Sequence, residues 1–398
     1  MSSKNNNNKR ISIFKKKYHT GVAVLFLIFI GIVAMSFVIA AGSSAKSYTE
    51  TMLLPGMFRE VTLHRVIREG RKHKISYETP ETVKAVYVTA YTVSTPSRIE
   101  PMIDLITSTE LNSIVIDIKL DGGLIIFDTK SSIVKEAGTE KILIEDLPAL
   151  LTRLREEGIY TIARMTVFQD PALVSKRPDL AIGDKRGGVW KDWKGVTWLD
   201  PHSKEVWDYV IAVADSAIDA GFQEINFDYI RFPSDGPLSQ VEYHHGTGES
   251  KVETLNSFFK YISTELSDEG AKLSVDLFGI TLWSDNDFNI GQTLIGAAPH
   301  FDYIAPMVYP SHYPDGFNGY SNPAEVPYEV ISQNLDRGIA KIEGEKAILR
   351  PWLQDFDLGA IYTPSMVRAQ ITATEERDTN GWMLWNASNN YTIGALNP

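Results

Sequence analysis

The 398-residue sequence contains no cysteine. This absence excludes a disulfide scaffold, a cysteine-ligated metal site and a thiol nucleophile. No G-x-G-x-x-G, G-x-x-x-x-G-K-[ST] or G-x-S-x-G motif lies at a strand–helix junction, which argues against nucleotide binding and serine-hydrolase chemistry. We expect no cofactor and no metal. The composition, 43% hydrophobic and 22% charged, is typical of a globular protein and excludes wholesale disorder.

Acidic residues are missing from the first 20 positions, which carry several lysines and one arginine. The formal net charge of the whole chain is nevertheless −11, so the remainder is strongly acidic. An acidic body repels polyanions, and nucleic acid is therefore not an expected partner.

Charge is also absent from residues 21–42, which are almost wholly apolar. About 20 such residues span the hydrocarbon core of a bilayer. Because the basic cluster precedes this segment, the positive-inside rule places the amino terminus in the cytoplasm and the rest outside. We predict an uncleaved signal anchor in the cell membrane. Small residues at 40–45 leave a cleaved signal peptide, and secretion, as the alternative.

Four regions follow from this pattern. We predict a basic cytoplasmic tail at residues 1–20, a transmembrane helix at 21–42, a juxtamembrane stalk at 43–81 and an enzymatic domain at 82–398.

The last region alternates strand-like and helix-like patterns, which indicates βαβ units and a parallel sheet. Eight repeats fit a single (β/α)8 TIM barrel of the α/β class better than an open doubly wound sheet. The predicted strands are 85–92, 113–120, 160–168, 224–231, 272–280, 302–309, 347–354 and 381–386. The predicted helices are 98–111, 141–157, 203–220, 250–269, 290–298, 325–342 and 364–379.

Long loops follow the third, fourth and sixth predicted strands. In a barrel such loops lie at the C-terminal face, where active sites are built. Their aromatic residues suit the flat apolar faces of sugar rings, with packing of the loops onto the barrel as the alternative. These residues include Trp190, Trp193, Trp198, Tyr243, His244, His245, His312, Tyr313 and Tyr320.

Three acidic residues are predicted to converge inside the barrel, because side chains alternate between the interior and the helices. Asp117, Asp228 and Asp276 share the inward parity on strands two, four and five. Paired carboxylates are what glycoside hydrolysis requires, one as proton donor and one as nucleophile or base. A structural salt-bridge network is the alternative. The nearby cations are Lys119, Arg164 and Arg231.

Further inward positions carry aromatic and amide side chains. We expect Tyr309 and Gln354 to bind hydroxyl groups and Trp385 to form the floor of a subsite, with core packing as the alternative. The complete set of expected substrate-binding residues is Arg231, Tyr87, Tyr91, Lys119, Arg164, Tyr309, Trp352, Gln354 and Trp385.

The segment 221–233, which ends in Phe-Asp-Tyr-Ile-Arg-Phe-Pro, resembles the strand-four signature of the glycoside hydrolase domain family first catalogued as DUF4015. Four further segments resemble that family: Val86–Tyr91, Ile116–Lys119, Ser274–Gly279 and Arg350–Asp355. The resemblance covers residues 82–398. It implies a TIM barrel that hydrolyses glycosidic bonds.

A more distant likeness is to the chitinase-type barrels of glycoside hydrolase family 18. Met307-Val-Tyr309 and Gly381-Trp-Met-Leu-Trp385 resemble their strands six and eight. Strand four departs from them, because Ile230 stands where the chitinase acid would be and Asn226 replaces another motif carboxylate. An aspartate nucleophile on strand four with an acid on strand five instead resembles the α-amylase arrangement.

Three hypotheses follow. The first is a membrane-anchored, outward-facing glycoside hydrolase of cell-wall or extracellular polysaccharide, with Asp228 as nucleophile, Asp276 as general acid/base, and Asp117 and Arg231 tuning them. The second is a carbohydrate-binding barrel at the cell surface without catalysis. The third is a metal-assisted hydrolase that uses Asp117, Asp228 and Asp276 as oxygen ligands.

Overall fold

The computed structural model describes residues 79–267 and 270–398. The predicted cytoplasmic tail, the transmembrane segment and nearly all of the stalk therefore lie outside the described residues. Within the described ranges, no helix combines the length and apolar character needed to cross a bilayer.

Eight parallel strands close into a barrel, which confirms the predicted architecture. The seventh strand is in two pieces. Its first piece pairs with strand six and its second with strand eight, while strand eight pairs with strand one and closes the ring. The strands are β1 Val83–Val88, β2 Ser113–Lys119, β3 Tyr160–Thr166, β4 Glu224–Asp228, β5 Lys272–Phe278, β6 Tyr303–Met307, β7 Ile348–Leu349 with Trp352–Gln354, and β8 Gly381–Trp385.

Helices cover the outside of this barrel. The predicted segments are confirmed as helical, although residues 290–298 are α-helical only over the single turn 294–297. Three short helices were not predicted, at 90–93, 132–137 and 171–176. The helices are α1 Ala90–Val93, α2 Pro96–Thr107, α3 Ser132–Ala137, α4 Leu147–Glu156, α5 Pro171–Lys176, α6 Lys204–Ala220, α7 Lys251–Leu266, α8 Leu294–Ala297, α9 Pro327–Lys341 and α10 Pro364–Glu375.

The longest helix, α6, shows how local sequence sets these elements. Ser203 caps its start by accepting a hydrogen bond from the backbone N–H of Val206, which satisfies one of the free amide donors of the first turn. Gly221 ends it with a φ of 116°, a conformation that favours glycine. The side chains of Trp207 and Val210, which lie between these two ends of the helix, are buried.

The core has two layers because side chains alternate along each strand. Ile114, Ile116 and Ile118 of β2 belong to the large apolar cluster between the barrel and its helices. Val115 belongs to the smaller cluster inside the barrel, with Tyr87 and Trp352. The predicted parity is thus confirmed for the apolar residues of β2. By the same alternation, the polar side chain of Asp117 faces the barrel interior.

A buried ion pair fills the interior at the end where the strands begin. Both side chains, Glu224 at the start of β4 and Arg350 between the two pieces of β7, are fully buried. Nη1 of Arg350 donates to Oε1 and Oε2 of Glu224 at 2.8 and 2.9 Å, and the hydroxyl of Tyr160 donates to Oε2 at 3.1 Å. Because these groups satisfy one another, this end is a packed base beneath the site at the opposite end.

Candidate active site

Arg164 joins two of the three predicted acids at the C-terminal end of the barrel interior. Its side chain is almost completely buried on β3. Nη1 donates to Oδ1 of Asp117 at 2.5 Å, while Nε and Nη2 donate to Oδ2 of Asp228 at 3.0 and 2.5 Å. One guanidinium therefore pairs with both carboxylates and keeps them at a fixed orientation, as its planar fork allows.

Asp228 is the last residue of β4, and the residue after it has an unusual backbone. Tyr229 has a φ of 49°, which is sterically unfavourable for a bulky L-residue. This conformation brings the N–H of Tyr229 to 2.6 Å from Oδ1 of Asp228. The carbonyl oxygens of Asp228 and Tyr229 accept hydrogen bonds from Val167 and Phe168 of the neighbouring chain segment, which hold the bend in place.

Asp276 of β5 lies deeper, with 1% of its surface exposed. Its Oδ1 accepts hydrogen bonds from Nδ2 of Asn226 and Nε1 of Trp352, both at 2.8 Å. Burial, and secondarily the negative charge of Asp228, hold the pKa of Asp276 well above its usual range, although the two hydrogen bonds and Arg164 oppose the shift. Asp276 consequently keeps its proton to higher pH than an exposed aspartate would.

Asp117 of β2 completes the cluster. Its Oδ2 accepts a hydrogen bond from the hydroxyl of Tyr87 at 2.5 Å. Burial raises the pKa of Asp117, and the charge of Arg164 and the Tyr87 hydrogen bond oppose that shift. Burial, followed by the charge of Asp117, also raises the pKa of Tyr87, so the phenol remains a hydrogen-bond donor.

An aromatic wall lies beside the acids. The Tyr87 and Trp385 rings stack with centroids 4.1 Å apart, and Trp352 meets Trp385 edge-on at 5.5 Å. The Arg164 guanidinium lies 5.1 Å from the Trp385 ring centroid. Trp385 is half-buried, and its role as the floor of a subsite stays a prediction. Tyr309 is also in the interior cluster, where its ring contacts that of Phe356.

The predicted inward orientation of Lys119 is wrong. The pairing of β2 with β3 shifts register between Asp117 and Lys119, so the strict alternation of side chains fails there. Lys119 is fully buried outside the barrel interior, where its Nζ pairs with Asp170 at 2.8 Å and donates to the carbonyl oxygen of Thr166 at 2.7 Å. Its ammonium lies 5.8 Å from the ring of Tyr209 on α6.

Tyr91 is a second correction. The first strand ends at Val88, and Thr89 caps the short helix α1 that carries Tyr91. The predicted strand 85–92 is thus too long at its C-terminal end. Tyr91 is 51% exposed and does not belong to the barrel interior.

Gln354 and Arg231, both predicted to bind substrate, already have partners within the protein. Oε1 of Gln354 accepts hydrogen bonds from the backbone and hydroxyl of Ser311, and Nε2 donates to the carbonyl oxygen of Phe356 at 2.9 Å. Its amide therefore ties loops together rather than presenting free groups to a ligand. Arg231 packs its guanidinium against the rings of Trp198 and Phe278, at 5.0 and 4.8 Å.

Two further polar residues belong to the site. Asn226 shares the inward parity of Asp228 and bonds Asp276, while its own buried Oδ1 has no hydrogen-bond partner among the described residues. Asp121 follows β2 with 61% of its side chain exposed, and its Oδ1 lies 3.6 Å from Nη2 of Arg164. The sequence contains a signal for both residues at the site: Asn226 has the inward parity of β4, and Asp121 lies just beyond the end of β2.

The described residues contain no group of three or more acidic or histidine side chains arranged to hold a metal ion. The cation between Asp117 and Asp228 is the guanidinium of Arg164. The arrangement combines a buried carboxyl group whose pKa is raised, Asp276, with one that is paired to an arginine, Asp228.

The barrel resembles a solved glycoside hydrolase domain in fold. The glycoside hydrolase domain of PgaB (BpsB) from Bordetella bronchiseptica aligns over 77% of this chain and 94% of its own, at 14% identity and a TM-score of 0.56. A hypothetical protein from Ruminiclostridium thermocellum is 37% identical over 48% of this chain and 96% of its own, with a TM-score of 0.45.

The spore cortex-lytic enzyme SleL of Bacillus megaterium aligns over 80% of this chain and 74% of its own, at 12% identity and a TM-score of 0.47. No curated protein matches the chain. The family model described as "Putative glycosyl hydrolase domain", DUF4015, matches residues 85–391.

Proposed function

Because the chain belongs to this glycosyl hydrolase domain family, we propose that its barrel hydrolyses glycosidic bonds with Asp276 as general acid/base and Asp228 as nucleophile. The observation that carries the proposal is the difference between the two environments. Asp276 is buried with a raised pKa, whereas Asp228 is paired with Arg164. Two carboxyl groups held in opposite protonation states are what the reaction needs.

Asp276 supplies the proton. A leaving sugar oxygen gains a proton as its bond to the anomeric carbon breaks, so the donor must still be protonated when substrate binds. The hydrogen bonds from Asn226 and Trp352 reach only Oδ1, and no hydrogen bond from a described residue reaches Oδ2. The second oxygen is therefore the one available to the leaving group.

Asp228 supplies the negative charge at the anomeric carbon. Two hydrogen bonds from Arg164 to Oδ2 and one from the Tyr229 amide to Oδ1 fix the plane of its carboxylate. Such preorganised donors hold a charged group in place without reorganisation during reaction. Asp117 and Tyr87 support the other side of the same arginine, so they act on Asp228 through Arg164.

The proposal includes an extracytoplasmic location. The apolar segment 21–42 and the basic residues before it support a signal anchor with the barrel outside the cell membrane. A barrel in that position meets cell-wall or extracellular polysaccharide. The aromatic wall of Tyr87, Trp352 and Trp385 supports binding of sugar rings.

The direct experiment measures reducing-end release by the full-length protein in detergent. Peptidoglycan, chitin, α-glucans and deacetylated amino-sugar polymers form the panel, with Asp228→Asn and Asp276→Asn as the test variants. Asp104→Asn, on the exposed face of α2, is the matched control. Release that disappears in both test variants, with unchanged circular dichroism, supports the proposal; full activity in either test variant contradicts the assignment.

A non-catalytic carbohydrate-binding barrel is the second candidate. Ile230, at the position of the chitinase acid, is fully buried in the apolar cluster outside the barrel, which favours this candidate over a chitinase-type mechanism. It requires saturable glycan binding without product by the wild type, and binding that survives Asp228→Asn.

A further inference from the structure

The segment 183–197, between β3 and α6, forms two consecutive β-hairpins at the C-terminal face, 183–189 and 191–197. A bridge between Gly183 and Val189 pairs the strands of the first, and a bridge between Lys191 and Thr197 pairs those of the second. Trp190 lies between the two hairpins, where its ring is fully buried and its Nε1 donates to the carbonyl oxygen of Pro237 at 3.1 Å. These contacts hold both hairpins against the rest of the domain.

The turn of the second hairpin is stabilised by the side chain of Asp192. Its Oδ1 accepts the backbone N–H groups of Lys194 and Val196, both at 2.9 Å. Its Oδ2 accepts Nε1 of Trp198 at 3.2 Å. Both oxygens of this carboxylate are hydrogen-bonded within the protein and the side chain is buried, so Asp192 stabilises the turn and presents little negative charge to solvent.

Trp193 stands on this fixed turn with 74% of its surface exposed. Trp190 within the segment and Trp198 directly after it are buried. An indole exposed to water contributes little to stability, and tryptophan is enriched among the residues that dominate binding interfaces.

Unpaired positive charge flanks the exposed ring. Lys191 and Lys194 are exposed, and neither pairs with a carboxylate among the described residues. Arg186, in the turn of the first hairpin, is by contrast paired with Asp184. In a chain of net charge −11, these two lysines place positive charge beside the exposed ring of Trp193.

The second hairpin is joined to the proposed active site through Trp198. The ring of Trp198 lies 6.1 Å from that of Tyr229, and the guanidinium of Arg231 lies 5.0 Å from it. Tyr229 directly follows Asp228. The same buried tryptophan that bonds the Asp192 turn therefore packs on the strand end that carries the proposed nucleophile.

We propose that Lys191, Trp193 and Lys194 form a distal subsite for an acidic polysaccharide, so that the barrel acts on a polymer bearing carboxylate or phosphate groups. The indole stacks on the apolar face of one sugar, and the lysines attract its anionic substituents. This inference rests on the proposed function for its link to cleavage. A distant contact adds affinity for a long chain only, because a short glycoside does not reach both sites.

The experiment measures binding separately from turnover, with the full-length Asp228→Asn protein in detergent. Hyaluronan supplies carboxylates, teichoic acid supplies phosphates and dextran is the neutral control. Trp193→Ala and the double variant Lys191→Gln/Lys194→Gln are made in this background. Ile361→Ala and Lys141→Gln, at other exposed positions, are the matched controls.

We expect Trp193→Ala to weaken binding of at least one acidic polymer by about tenfold. The double lysine variant should lose most of the salt dependence of that binding, since the cations supply the screened part of the attraction. Dextran binding should change little in either, and the controls should match the parent. Preference for hyaluronan or for teichoic acid identifies the anionic group.

Unchanged affinity of Trp193→Ala for the acidic polymers, or no binding of any acidic polymer by the parent, would overturn the inference. Binding of the parent protein to anionic phospholipid vesicles but not to polymers, if Trp193→Ala abolished it, would also overturn the inference. The second hairpin would then be a membrane contact. If the wild type releases no product from any polymer while Trp193→Ala loses binding, the proposed hydrolysis fails and the subsite stands. If the wild type cleaves acidic polymers and Trp193→Ala has the same KM for them, the proposed hydrolysis stands and the proposed subsite fails.

Discussion

Arg164 donates two hydrogen bonds to a single oxygen of Asp228, from Nε at 3.0 Å and Nη2 at 2.5 Å. Its remaining Nη1 reaches Asp117 at 2.5 Å. The geometry uses three of the five donors of a rigid, planar group. A lysine cannot reproduce it, because its ammonium is a compact charge on a flexible stem.

Arg164→Lys should therefore reduce kcat by about 100-fold, since loss of preorganised donors at a reacting group typically costs that much. The change retains the positive charge, so folding should largely survive. The measurement is kcat and KM on the polymer found in the release screen, with Arg98→Lys, exposed on α2, as the control. Wild-type kcat in Arg164→Lys would show that the pairing with Asp228 is only structural.

Trp352 should tune the pH dependence of the reaction. The hydrogen bond from its indole stabilises the ionised form of Asp276 and so lowers the pKa of that group. Trp352→Phe removes the donor and raises the pKa of Asp276 further. Because a general acid must be protonated, the alkaline limb of the kcat/KM profile should move to higher pH, whatever happens to the maximum rate. Trp382→Phe is the control, because the indole of Trp382 on β8 donates to Glu375 instead, and it should leave the alkaline limb in place. A shift of that limb to lower pH in Trp352→Phe would refute the role of Asp276.

Asp276→Asn should make the protein more stable at neutral pH while abolishing activity. In the unfolded chain Asp276 ionises near 3.8, whereas burial raises its pKa in the folded protein. Between these two values the folded state binds more protons, so the free energy of unfolding falls as pH rises through this window. Asparagine has no such penalty, and its amide oxygen can still accept from Asn226 and Trp352.

Urea unfolding at a series of pH values tests this. The stability difference between Asp276→Asn and wild type should grow from about pH 4 upward, by at most about 1.4 kcal/mol per pH unit. Asp104→Asn, with an exposed carboxylate, is the control. A difference that shrinks as pH rises would mean that Asp276 is ionised in the folded protein.

Much of the fold follows from the sequence because alternation survives wherever a strand is regular. The outward parity of Ile114, Ile116 and Ile118 identifies Asp117 as inward. The parity fails at Lys119, where a register shift that depends on the pairing with β3 reverses the expected side. No local composition signals that shift, since it arises from contact with residues more than 40 positions away.

Other differences between the predicted and the observed elements have a local cause that is present in the sequence. Pro351 lacks an N–H and divides the seventh strand into two pieces. Asp170 followed by Pro171 is a helix start that marks α5, and Thr89 caps α1 and removes Tyr91 from the first strand. The hydrogen bonds of Asp276 with Asn226 and Trp352 join three strands, so only the closed barrel reveals them.

Lys119→Met should lower stability without affecting the chemistry. Lys119 and Asp170 are fully buried, and removing the cation leaves an unpaired carboxylate, at a cost of about 3–5 kcal/mol. The activity of the molecules that remain folded should keep the wild-type KM, because Lys119 lies outside the barrel interior. Lys119→Met/Asp170→Leu should recover part of the stability in a denaturant titration. A raised KM in the single variant would restore Lys119 to the substrate site.

Tyr229 should control the position of Asp228 through its backbone rather than through its ring. A φ of 49° costs about 1–3 kcal/mol for such a residue and places its N–H on Oδ1 of Asp228. Asparagine tolerates this conformation, whereas a β-branched valine does not. Tyr229→Val should therefore lower kcat by about 100-fold, since small displacements of a reacting group cost that much. Tyr229→Asn should retain most of kcat.

The same pair of substitutions at Lys130 provides the control, because this exposed residue also has a positive φ, 59°, but pairs with Asp128 and not with Asp117, Asp228 or Asp276. Lys130→Val should lose stability relative to Lys130→Asn and keep full kcat. Comparing the two positions separates the energetic cost of the strained backbone from its effect on Asp228. Equal kcat values for Tyr229→Val and Tyr229→Asn would mean that the carboxylate is held by Arg164 alone, and that the strain at Tyr229 serves only to turn the chain back into the core.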